Sequence, residues 1–123
     1  MADSGSTPGP VNPSDQITAT SLAQQLSFLL TSLLQASRAT SDPTKLIQLN
    51  SEMAAVQTVL NQAAQAQAAT NDATFAQAAA TLNAQAGVLS GMEAQITTII
   101  ADAATAGRAI GYITQALALI AKL

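Results

Sequence analysis

Apolar side chains return at alternating intervals of three and four residues along almost the whole chain. Ala19, Leu22, Leu26, Leu29, Leu33 and Ala36 form the first such series, and Leu46, Leu49, Met53, Val56, Leu60 and Ala63 the second. A third, with Gln85 as its one polar member, runs from Phe75 through Ala78, Leu82, Gln85, Leu89, Met92, Ile96, Ile99, Ala103, Ala106, Ile110, Ile113 and Leu117 to Ile120. At 3.6 residues per turn this spacing gathers the side chains into one stripe on an α-helix, which must be buried against other helices. A β-strand would spread the same residues over both its faces, and no segment alternates with the period of two that a strand requires. The sequence specifies an all-α fold with coiled-coil-like packing.

The few charged residues mark the helix ends. Ser14 before Asp15, Asp42 before Pro43, and Asp72 after Asn71 have the residue types that start helices, and Ser90-Gly91-Met92-Glu93 has the spacing of a capping box. Arg38 and Lys122 fall near helix ends, where a cation complements the helix dipole. Helices are expected at about 15–39, 43–69, 72–86 and 90–122. Gly87 followed by Val88 suits a helix stop, so the reading is an antiparallel up-down four-helix bundle with short connections. The apolar series nevertheless passes through Gly87 in register. The alternative is therefore three helices with one long C-terminal helix of roughly 75 Å. Residues 1–13 carry Gly5, Pro8, Gly9, Pro10 and Pro13 among small polar residues; with little to bury, they are expected to form a disordered tail. Residues 14–123 then make a single helical bundle domain.

Composition narrows the chemistry. The chain has no Cys, His or Trp, which excludes disulfides, thiolate or imidazole metal sites, and Cys or His catalysis. Four basic residues and a net charge of −3 cannot supply the clustered cations of a nucleic-acid footprint. Of the seven acids, Asp3 lies in the tail and four sit at expected helix starts, which leaves Glu52 and Asp102 inside helices with nothing to bring them together. Asp102 is expected at the edge of the last apolar stripe as a hydrogen-bonded or salt-bridged residue. There is no G-x-S-x-G elbow, and no glycine-rich phosphate loop. No catalytic residue, cofactor or metal site is expected, and the protein is read as a non-enzyme.

No basic stretch precedes an apolar run, so no cleavable export leader is expected. Leu22–Leu34 is short for a bilayer and interrupted by polar residues, and Ile96–Leu123 contains Asp102 and Arg108. The expectation is a soluble protein, cytoplasmic or exported without a cleavable signal.

Residues lying off the stripes suggest where partners would bind. Phe28 points away from the leucines of the first helix, and Arg108, Tyr112 and Leu119 share a side of the last helix opposite its isoleucines. Tyr and Arg are common in binding hot spots, so Phe28, Arg108, Tyr112 and Leu119 are the candidate interaction surface. Ala103, Gly107 and Gly111, four apart, are candidates for close packing against a neighbouring helix. Of the 60 apolar residues 28 are alanine, and the polar faces carry Gln, Thr, Ser and Asn, a surface with little charge to oppose self-association. That composition is similar to the composition of exported helical filament subunits of bacteria. The leading expectation is a small helical protein that works through contacts with a protein partner or with itself. The alternatives are a membrane-active amphipathic protein, and a cytosolic adaptor or secretion chaperone.

Overall fold

Four helices follow one another in a computed structural model that describes residues 9–123: α1 (Pro13–Ala39), α2 (Pro43–Ala68), α3 (Asp72–Ile99) and α4 (Ala103–Ala121). Each begins with a polar side chain that accepts a hydrogen bond from the first turn. Asn12 accepts from the Ser14 amide, Asp42 from Thr44 and Lys45, Asn71 from Thr74, and Asp102 from Thr105. These bonds satisfy amides that have no partner within the helix. Two starts differ from expectation. The cap of α1 is Asn12 rather than Ser14, because Pro13 supplies the fixed first helical residue and Ser14 is already inside. Asp102 caps α4 and does not lie within it.

The break expected at Gly87 is not there. α3 passes through Gly87 and Gly91 without interruption, and no glycine among the described residues takes a positive φ. The chain turns instead at residues 100–102. Two helical glycines cost about 1 kcal/mol each relative to alanine. The run Leu89, Met92, Ile96 and Ile99 is buried by continuing the helix, and each such side chain contributes about 1.5–3 kcal/mol. Length points the same way. With 28 residues α3 spans about 42 Å, matching the 27 residues of α1 and the 26 of α2. The Ser90–Glu93 box is unused, and Glu93 reaches α4 instead, accepting a 2.7 Å bond from the Thr114 hydroxyl.

Every helix packs on the next, and α4 closes on α1, while the diagonal pairs α1–α3 and α2–α4 make no close approach. The result is an up-down four-helix bundle. Its core contains the stripe of α1 as expected, but two stripes are rotated. In α2 the buried positions are Leu49, Glu52, Val56, Val59, Ala63 and Ala66, with Met53 and Leu60 half-buried at the flank and Leu46 exposed. In α4 they are Ala106, Ala109, Ile113, Ala116 and Ile120, with Ile110 and Leu117 at the flank. Both phases lie on one broad apolar face. The positions of two neighbouring helices decide its centre.

Of the expected tail, residues 1–8 lie outside the described residues. Residues 9–12 lie against the far end of the bundle: the Gly9 carbonyl accepts from the Asp72 amide at 2.9 Å, and Val11 packs partly against the core. The Gln16 side-chain amide donates to the Ala69 carbonyl at 3.2 Å, tying the start of α1 to the α2–α3 connection.

Candidate functional site

The candidate surface residues fall on the seam between α1 and α4, and the structure divides them. Phe28 and Tyr112 meet across that seam with ring centroids 5.6 Å apart and planes at 42°. This lies in the range of favourable tilted aromatic pairs, worth about 0.5–1.5 kcal/mol beyond the area buried. Phe28 remains 49% exposed, whereas Tyr112 is half-buried against the core. Arg108, one turn before Tyr112, turns to the start of its helix, where its guanidinium donates to the Thr105 hydroxyl at 3.3 Å. Leu119 packs partly on the core and so belongs to the bundle's flank.

Ile17, which the sequence reading passed over, joins this face. It lies three turns before Phe28 on the same side of α1 and is 67% exposed. The cause is length: α4 has 19 residues and spans about 28 Å, so it ends before the first turns of its antiparallel neighbour α1. The signal in the sequence is the eleven-residue spacing from Ile17 to Phe28, visible only once the buried stripe is known.

Ala103, Gly107 and Gly111 make no close helix contact. All three are exposed, and a Cβ built on either glycine would meet nothing within 4 Å. Packing inside this chain therefore does not account for these glycines. Their stripe lies outside because Ala106, Ala109 and Ile113 occupy the inner face of α4.

At the end of the bundle holding the α1–α2 and α3–α4 connections, a cleft of about 330 Å³ opens between Asp42, Lys45, Asp102 and Thr105 over an apolar floor that includes Ile99 and Ile100. Both of its carboxylates are engaged as caps. Asp102 Oδ2 accepts from the Thr105 hydroxyl at 2.6 Å and from its amide at 2.9 Å. The hydroxyl bond chiefly, then the amide bond and the Arg108 charge, hold the Asp102 carboxyl below its ordinary range. Among the described residues no three potential metal ligands of the His, Cys, Asp and Glu types come together.

The remaining polar feature is Glu52, which the sequence places inside a helix and the structure places in its buried stripe. It is 6% exposed, and burial pushes its carboxyl up from 4.5 to about 7. A shallow groove beside it is walled by Gly87 and Gly91 of α3.

By length and composition an 18-residue stretch of α1 would suffice to cross a membrane, a test that a core helix also passes, and a third of that stretch is buried inside the bundle. Compared with known protein families, curated proteins and solved structures, the chain matches none.

Proposed function

We propose that this chain is a non-enzymatic helical protein that works through protein–protein contact, and that the α1–α4 face bearing Ile17, Phe28 and Tyr112 is where the contact is made. The observation that carries this reading is the Phe28–Tyr112 pair. Half of Phe28 stays in water while its ring is held against Tyr112, so the exposed apolar surface is presented at little further cost in side-chain freedom. With 9% charged residues in the whole chain, its surface offers little repulsion to a second copy.

The test is light scattering coupled to size exclusion over a concentration series, followed by pull-down, on the wild-type chain, Phe28→Ala and Tyr112→Ala. Loss of association or capture in Phe28→Ala at unchanged thermal stability is the expected result. Association indifferent to both variants removes the face from consideration. A stable complex with a client and no self-association would favour the adaptor or secretion-chaperone reading. The length and hydropathy of α1 favour a second reading, in which the bundle opens and α1 enters a bilayer. Flotation with neutral and anionic liposomes separates the two.

A further inference from the structure

The buried stripe of α2 is apolar at every position but one. Glu52 stands between Leu49 and Val56, and Ser32 of α1 is the other buried polar side chain among the described residues. Neither Glu52 oxygen touches solvent or finds a hydrogen-bond partner among the described residues. An ionised carboxylate so placed has exchanged water for nothing, a cost that a protein avoids by keeping the group neutral or by letting water in.

The route for water is visible. The groove at the α2–α3 seam runs past Ser51 and Glu52 on one side and Gly87, Gly91 and Gln95 on the other. A Cβ at Gly87 or Gly91 would have nothing within 4 Å, so the α3 wall stands open at those two positions. We propose that Glu52 and the Gly87–Gly91 wall form a proton-operated gate in the α2–α3 seam. The seam is dry and closed while the carboxyl is neutral, and it is hydrated through the groove once the proton leaves.

No charge on the adjoining helices opposes this. α1 carries only Asp15 and Arg38, both near its ends, and the charged residues of α3 are Asp72 in its first turn and Glu93. Glu93 is committed to Thr114 of α4. The nearest charge along α2 is Lys45, two turns before Glu52. Desolvation alone raises the Glu52 carboxyl, to about 7, so the gate operates near neutral pH. The sign follows from linkage. The folded chain holds the proton more tightly than the unfolded chain does, so the closed seam is fully supported below about 4.5 and loses that support as pH rises through about 7.

The test uses the full chain and two readouts. Carbon-13 NMR follows the Glu52 side-chain carboxyl through a pH titration. Amide hydrogen exchange in α2 and α3, corrected for the intrinsic pH dependence, is compared at pH 5.5 and 8.5. The expected results are a midpoint near 7 and opening of the amides around Glu52 at least about tenfold more frequent at the higher pH, since each factor of ten in proton affinity enters the opening equilibrium in full. Glu52→Gln, which keeps the shape without the charge, should abolish the pH-dependent part. Gly91→Leu, which fills the groove, should move the midpoint of Glu52 still higher. A wild-type midpoint near the ordinary 4.5, or pH-dependent opening that survives in Glu52→Gln, overturns the proposal.

Discussion

α1 and α2 are neighbours of nearly equal length with the same three-and-four spacing, yet they fill their stripes in opposite ways. α1 drives four fully buried leucines, Leu22, Leu26, Leu29 and Leu33, into the core. α2 answers with Leu49, two valines and two alanines, and it spends one central position on Glu52. Among the described residues ten of the 26 buried apolar residues are alanine, so the larger side chains carry most of the apolar area and the small ones let the helices close around them. Spacing decides which positions go inside, and the residue at each position decides what the bundle then depends on. α1 makes it depend on packing, whereas α2 adds a buried acid and with it the proposed response to pH.

The largest effect should come from breaking the α1 side. Leu29→Ala should cost about 2–5 kcal/mol, because Leu29 is fully buried and its surroundings relax only partly into the cavity left behind. Val59→Ala on α2 removes less volume and should cost clearly less by chemical denaturation at pH 6. Equal losses would abolish the distinction between the two stripes. Next comes the acid. Glu52→Leu should stabilise the bundle by about 1–3 kcal/mol at pH 8.5, where the wild type must bury or hydrate an unsatisfied carboxylate, and by less at pH 5. A variant equally stable relative to wild type at both pH values would show that α2 carries no pH dependence of its own.

A smaller effect sharpens the comparison at the helix starts. Both helices begin with proline at the first position, but Asp42 caps two amides of α2 while Asn12 caps one of α1. Asp42→Ala and Asn12→Ala should each cost about 0.5–2 kcal/mol in thermal unfolding, with Asp42 the dearer. The smallest change is a gain. Gly107→Ala should stabilise the chain by about 0.8–1.0 kcal/mol, because a Cβ there has free space and alanine is the better helix former. A loss of stability would mean that the outer stripe of α4 is covered.

The fold class, five of the helix boundaries to within one residue and the burial of α1 were legible in the residues themselves. Asp42–Pro43 and Asn71–Asp72 mark starts through local hydrogen bonds, and the leucine stripe is so one-sided that only one phase can be buried. Gly87 carries only a local cue to stop, whereas the reason to continue lies in the helices that Leu89, Met92 and Ile96 pack against. Asp102 follows the same rule: with the turn at residues 100–102, the residue expected at the edge of a stripe becomes a cap.

The candidate face divides in the same manner. That Phe28 leaves its stripe is a fact of one helix. That it meets Tyr112, that Arg108 turns back to Thr105 and that Ile17 stays bare depend on where α4 lies and how soon it ends. The sequence by itself determined an all-helical chain with amphipathic stripes and the chemistry available to it, because propensity, capping and periodicity act within a few turns of one helix. Only the tertiary structure decided the centre of the α2 stripe, and with it the burial of Glu52, since on a broad apolar face the two neighbouring helices choose which residues lose their water.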